Sequence, residues 1–282
     1  MNFARLVSRC SYQLIDPMSS ELLRCPSSSE QILGFATGTF KSSILSLFAN
    51  PSGATTFVDV GANTGQTMLD VFSTIKDLDY HGFEPNPLAF VHLEKLANAN
   101  DLPASLYPFA CTNFAKPIKL FTSSELDSSA TIHSEIRPDT YQGQLGRWIA
   151  GYPLDLLMLE SIAHGFILKI DVEGSENEVL EGAGELIEKK RPIIICEVLH
   201  AHRLSEVQLN NNRKGWLDRF LQRMDYDLYQ CVLSPGNREQ LVGLNKISEL
   251  PKDVLWKDSP CTCDYLFIPR EMKLPGALSR YN

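Results

Sequence analysis

The sequence predicts an α/β fold: an open, mostly parallel sheet with an antiparallel strand late in the chain, preceded by an N-terminal helical segment. Two motifs carry this reading, Asp59-Val60-Gly61-Ala62-Asn63-Thr64-Gly65 and Lys169-Ile170-Asp171-Val172-Glu173-Gly174. Each follows an apolar, β-rich run, Thr56-Phe57-Val58 before the first and Gly165-Phe166-Ile167-Leu168 before the second. Each precedes a segment with helical periodicity. In open sheets built from such units, ligands sit outside the carboxyl ends of the strands. Glycines and acidic side chains gather at those ends here, so the expected site lies there.

Residues 1–52 read as a mainly helical extension. Gln31 to Phe48 places Ile32, Phe35, Phe40, Ile44, Leu45 and Phe48 on roughly one helical face, interrupted by Gly34 and Gly38. Pro51-Ser52-Gly53 then breaks the chain, and residues 53–282 form the main domain. Its first strand covers Thr56 to Val60. A helix starts near Thr64, where Asn63 and Gln66 have capping-box spacing. A second strand, Tyr80 to Phe83, ends at Glu84. Asn86 is a good N-cap and Pro87 occupies the favoured first helical position of a helix reaching Asn98. Further strands are expected over Ser105 to Ala110 and Pro117 to Phe121. Residues 122–151 are rich in Ser, Thr, Asp and Gly and carry Tyr141 and Trp148. A polar insertion of this length reads as a lid or binding loop. The next strand, Phe166 to Ile170, leads to Asp171. Ser175 and Glu178 suggest a second capping box for a helix running to Lys190. Pro192 to Val198 is nearly continuously apolar, as a parallel strand covered on both faces should be. Trp216 to Met224 is helical, and Tyr226 to Val232 and Asp264 to Ile268 are late strands.

The chain has 282 residues and a formal net charge of -8, with 44% hydrophobic and 21% charged residues. That balance argues against a general nucleic-acid binder, which needs a basic footprint. Lys189-Lys190-Arg191 falls in the last turn of a helix, where cations complement the dipole. No apolar run approaches the roughly 18 residues of a membrane span. The N-terminus lacks the compact apolar core of a signal peptide. The seven cysteines are scattered, and Cys261-Thr262-Cys263 is too closely spaced for a zinc site. Reduced, structural cysteines and a cytoplasmic setting are expected.

The first loop does not fit a dinucleotide fingerprint, because Asn63 and Gln66 occupy the second and third glycine positions. Glu84, at the end of the next strand, is nonetheless where an acidic residue accepts hydrogen bonds from ribose hydroxyls. Lys169 lies in a buried strand and is expected to form a structural ion pair. Asp171 and Glu173 face the cleft, where either could bind a ligand or act as a base. Helix-terminal structural roles remain open to both. Together they could hold Mg²⁺, but the sequence offers no third ligand and no metal is expected. His200 and, with less support, His202 follow the strand ending at Glu197. A neutral histidine there could take a proton from a hydroxyl.

These residues carry a resemblance. Phe57 to Gly65, Gly82-Phe83-Glu84-Pro85-Asn86-Pro87, Leu168 to Glu176, Val179-Leu180-Glu181-Gly182-Ala183 and Arg191 to Val198 resemble, in order, the motifs of the FkbM family of S-adenosylmethionine-dependent methyltransferases. The resemblance implies a Rossmann-like methyltransferase sheet and O-methylation of a hydroxyl on a sugar, glycan or secondary metabolite. It implies that Asp59, Gly61, Asn63 and Gly65 surround the methionine part of the cofactor. Glu84 would hold the ribose, and Ala110 and Cys111 would lie near adenine. Asp171, Glu173, Glu197 and His200 are then the catalytic candidates, with Asp171 also able to hold the cofactor. Carboxylates would help most near the acceptor hydroxyl or the cofactor ammonium, since one against sulfur would favour the ground state. Three rivals stand beside this reading: a nicotinamide-dependent oxidoreductase, a noncatalytic cofactor-binding module and a metal-assisted O-methyltransferase.

Overall fold

The computed structural model describes residues 13–15, 22–24, 44, 55–75, 77–141, 143–162, 165–234, 237–258 and 263–272. In the N-terminal extension, β1 (Gln13–Ile15) and β2 (Leu22–Arg24) pair antiparallel, which the sequence reading did not anticipate. Ile44 is helical and buried; the rest of the expected Gln31 to Phe48 helix lies outside the described residues.

The main sheet begins at β3 (Thr55–Val60) and continues through helix α1 (Gln66–Thr74) to β4 (Leu78–Phe83). Helix α2 (Pro87–Ala99) then leads to β5 (Ala104–Tyr107). These three strands are parallel and step outward in one direction. A small sheet follows, built from β6 (Ala110–Cys111), β7 (Lys116–Leu120) and β8 (Arg147–Tyr152), with the short helix α3 (Pro138–Tyr141) between the last two. After α4 (Leu154–Met158), β9 (Ile167–Ile170) returns to the other side of β3. Helices α5 (Glu176–Glu181) and α6 (Gly184–Lys190) lead to β10 (Ile193–Glu197), which pairs parallel with β9. Helix α7 (Val207–Arg223) precedes β11 (Tyr226–Ser234), β12 (Asn237–Ile247) and β13 (Asp264–Pro269). The eight strands stand in the order β12-β11-β13-β10-β9-β3-β4-β5. β13, β11 and β12 join antiparallel, so the late antiparallel strand expected from sequence is one of three.

Side chains alternate across this sheet. Phe57 and Ile167 pack with Met68, Leu69 and Leu93 on one face, while Val58 and Leu168 pack with Leu180 and Leu186 on the other. Burial on both faces explains the continuous apolar strands. Strand order reverses between β3 and β9, and a reversal of this kind opens a crevice at the carboxyl ends. Gly61 makes the crevice possible. Its φ is +86°, and a Cβ there would strike the backbone carbonyl of Asp171.

Neither capping box forms. Helix α1 starts at Gln66 behind Gly65, whose φ of 100° is left-handed, and no side chain caps it. Ser175 makes no capping bond; instead Glu176 accepts from the Gly174 N–H at 2.8 Å. The α2 cap forms as expected, with the Asn86 side chain accepting from the Leu88 N–H. Among the described residues no helix is long and apolar enough to cross a membrane.

Candidate active site

A cleft of about 340 Å³ opens at the carboxyl ends of β3, β4, β9 and β10. Its lining includes Gly61 to Asn63, Glu84, Ala110, Cys111, Asp171, Glu173 and Glu197. The insertion adds Asp127, Ser128 and Ala130 to Ile132 from above.

At one end, Glu84 receives both of its neighbours' backbone amides. Asn63 N–H donates to Oε2 at 2.8 Å, and Asn86 N–H donates to Oε1 at 2.7 Å. Asn63 reaches this position with a φ of 49°, a left-handed conformation that Asn tolerates better than most residues. Burial pushes the Glu84 carboxyl up to about 7, against the pull of both amides.

At the other end stand three acids, Asp171, Glu173 and Glu197, each with an oxygen within 4.8 Å of the others. Burial, and then the charge of Asp171, pushes Glu197 up to about 10. Glu197 and Asp171 are hydrogen bonded to each other. Glu173 is pushed up to about 7 by burial, which outweighs the Arg137 guanidinium donating to it from the insertion at 2.5 Å. The expectation that no third metal ligand exists is corrected here, because β10 delivers Glu197 beside the other two. An all-oxygen set suits a hard divalent cation. Two of these acids already face positive partners, however: Arg137 on Glu173 and Lys169 on Asp171.

Beneath the cleft, Lys169 donates to Asp59 Oδ1 and to the Gly61 carbonyl, both at 2.9 Å. Burial works against its charge, but Asp59 and Asp171 outweigh it and hold its pKa above the ordinary value. Above the cleft, Asp127 accepts from the N–H and hydroxyl of both Ser123 and Ser129 and from the Tyr141 hydroxyl. Burial opposes its charge, yet these donors hold it down to about 2. The insertion also seats Ile136 over Gly174, where a Cβ would collide with it.

Of the residues singled out from sequence, Gly61, Asn63, Glu84, Ala110, Cys111, Asp171, Glu173 and Glu197 meet in this cleft. Asp59 does not line it. Its side chain is wholly buried below the floor, holding Lys169 and the Tyr80 hydroxyl. Gly65 faces Leu93 and Leu96, so it serves helix packing. His200 requires a correction. The chain beyond β10 stays bound to β13, with Val198 N–H donating to the Cys263 carbonyl, and carries His200 beneath α7 into a separate cavity of about 30 Å³. There its Nδ1 lies 2.9 Å from Lys214 Nζ, and burial with that charge lowers its pKa to about 4. His202 is exposed and stacks on Trp256. Arg137 and Asp127 went unrecognised in the sequence, because the insertion has no periodicity to say which of its polar residues turn inward.

The sequence model of the Methyltransferase FkbM domain matches residues 59–228, which span the floor, both ends and the roof of this cleft. The chain belongs to the FkbM methyltransferase family. No curated protein matches this FkbM-family chain. Among solved structures it overlays methyltransferase FkbM from Methylobacillus flagellatus KT, with 16% identity and a TM-score of 0.45 over 76% of this chain and 43% of that one. It overlays precorrin-6y C5,15-methyltransferase from Geobacter metallireducens GS-15 with 8% identity and a TM-score of 0.37, over 80% of this chain and 85% of that one. The plantazolicin methyltransferase BpumL in complex with SAH gives 12% identity and a TM-score of 0.34, over 73% and 72%. The FkbM-family chain thus spans 43% of the length of the Methylobacillus protein.

Proposed function

We propose that this FkbM-family chain transfers a methyl group from S-adenosylmethionine to a hydroxyl of a sugar, glycan or secondary metabolite. The observation that carries the reading is the division of one cleft at the switch point. A buried carboxyl cradled by the loop after β3 occupies one end, and a cluster of three acids, one of them held by Arg137, occupies the other. A cleft of about 340 Å³ lies in the range of small-molecule sites.

When bound, the cofactor supplies an electrophilic methyl group on a sulfonium. Glu84 accepts from the ribose hydroxyls while keeping its two amides, since each carboxylate oxygen has a second lone pair. The Gly61 to Asn63 turn would let the methionine part approach the backbone, and Ala110 and Cys111 would take the adenine side. Asp171 would hold the ammonium group. Glu173 takes the hydroxyl proton, because a carboxyl near 7 is matched to proton transfer at neutral pH. Arg137 stabilises Glu173 in its ionised form and aims it. Glu197, its carboxyl pushed up by burial and by Asp171, is a poorer base than Glu173. Holding donor and acceptor in line can supply roughly 7–11 kcal/mol of barrier lowering, and the insertion over the cleft excludes water.

The three-acid cluster keeps the metal-assisted variant in view, since Mg²⁺ could replace Arg137 and the shared proton as counter-charge. Incubating the protein with glycan and metabolite extracts and methyl-labelled cofactor, with and without chelator, tests both readings. Labelled O-methyl product that survives chelation supports the metal-free mechanism. Product lost on chelation and restored by Mg²⁺ supports the metal. Absence of label on every acceptor sinks the enzymatic reading.

A further inference from the structure

The chain leaving β9 passes through two consecutive left-handed residues. Glu173 has a φ of 55° and Gly174 a φ of 103°. Glycine adopts this region freely, but a residue with a long side chain is strained there. Such strain persists only where the surroundings over-determine it. The strained residue here is the one whose carboxyl lines the cleft, with an oxygen within 4.8 Å of Asp171 and of Glu197. Its backbone therefore has to be held from outside.

The insertion supplies two braces. Arg137 donates to the Glu173 carboxyl at 2.5 Å, and Ile136 fills the space where a Gly174 Cβ would stand. The third brace belongs to the chain itself. Glu176, the first residue of α5, accepts from the Gly174 N–H through Oε1 at 2.8 Å. A glutamate at a helix start favours the helix dipole without being buried, yet this one is only 3% exposed. Burying a carboxyl is costly unless it is hydrogen bonded. Glu178, two positions on, takes Arg213 and His133, while Glu176 is aimed at the amide inside the turn. Glu176, Gly174 and Ile136 line the small second cavity, whereas Glu173 lines the cleft. Glu176 thus grips the turn without reaching the reacting groups.

We propose that Glu176 is a positioning residue for Glu173: by holding the Gly174 N–H it locks the left-handed turn that presents the Glu173 carboxyl to the acceptor hydroxyl. The turn needs an oxygen at that reach and does not need its charge. The brace stands on backbone geometry, and its consequence for proton removal rests on the methyltransferase reading above.

Two substitutions separate reach from charge. Glu176→Gln keeps a side-chain oxygen at the same reach and drops the charge. Glu176→Asp keeps the charge and withdraws the oxygen by one methylene. The first measurement is hydrogen exchange at the Gly174 amide, by NMR of the ligand-free ¹⁵N-labelled protein. Exchange should be slow in the wild type and in Glu176→Gln, and roughly tenfold faster in Glu176→Asp, as loss of one hydrogen bond implies. The second is single-turnover methyl transfer to the acceptor recovered from the labelled extracts. Glu176→Asp should lower the saturated rate by roughly 10²-fold, the effect of a displacement of about 1 Å, with S-adenosylmethionine affinity nearly unchanged. Glu176→Gln should rescue both readouts. Unchanged Gly174 exchange in Glu176→Asp would overturn the proposal, and so would equal rate losses in the two variants, which mark packing alone. Loss of protection or rate in Glu176→Gln overturns it whether or not Glu176→Asp folds. The exchange measurement uses no cofactor or acceptor, so its failure is distinct from a failure of methyl transfer.

Discussion

Glu84 shows how one carboxyl can serve binding at a cost to stability. Two amides and burial act on it in opposite senses, and burial wins, giving a value of about 7 against 4.5 for a free carboxyl. A raised folded value means that its contribution to stability is complete below about 4.5 and is lost as pH rises through about 7. Ligand-free Glu84→Gln should accordingly lose less stability than the wild type between pH 5 and 8, measured by urea unfolding. The same substitution should weaken S-adenosylmethionine binding by roughly 10- to 100-fold, because a charge-assisted hydrogen bond is worth about 1.5–3 kcal/mol. An unchanged affinity in a folded variant would remove Glu84 from the site. For Glu173, turnover should rise with pH through about 7, since only the ionised carboxylate accepts a proton. Glu173→Gln should lower the chemical step by roughly 10²- to 10⁴-fold with cofactor affinity nearly intact. His200→Gln should leave the chemical step unchanged in single-turnover kinetics, because the ring is paired with Lys214 away from the cleft. A Glu173→Gln variant with wild-type rates would return the base role to Asp171 or the substrate.

At the level of elements, the β3 and β9 loops are built against each other. Gly61→Ala should destabilise by about 1–3 kcal/mol from left-handed strain alone, with the clash against the Asp171 carbonyl adding to it. Cofactor affinity should fall with it, and a Gly61→Ala variant of unchanged denaturation midpoint would contradict the close approach. The insertion is tied down by the Arg137 to Glu173 pair and by His133 on Glu178. Arg137→Ala should speed proteolytic cleavage between residues 122 and 146 while the main sheet stays intact. The parallel strands were legible because burial on both faces leaves uninterrupted apolar runs, as in Ile193–Glu197. Strand β8 was not, since Arg147, Trp148 and Ala150 face outward and only Ile149 and Gly151 face in. The first half of α7 escaped notice because Asn210 to Asn212 are weak helix formers. Tertiary bonds hold it instead, with Asn210 donating to the Leu199 carbonyl and Arg213 to Glu178. The capping boxes failed for local reasons: α1 starts only after Gly65, past Asn63, and the Glu178 side chain is held by Arg213 and His133.

The strand reversal, the positive-φ residues Gly61, Asn63 and Glu173, and the acids Glu84, Asp171, Glu173 and Glu197 lie at one edge of one sheet. Asp171 and Glu173 were legible because they end a strand motif; Glu197 was legible as an acid but not as their partner, since 24 positions of helix and strand separate it from Glu173. Contacts between sequence-distant strand ends exist only once the sheet has assembled. We propose above all that this cleft receives S-adenosylmethionine. Calorimetry of the ligand-free protein with S-adenosylmethionine, its demethylated product and NAD tests that claim most directly. Saturable binding of the first two, weakened in Glu84→Gln, with no heat from NAD is the predicted result; saturable binding of NAD with no response to the other two would contradict it.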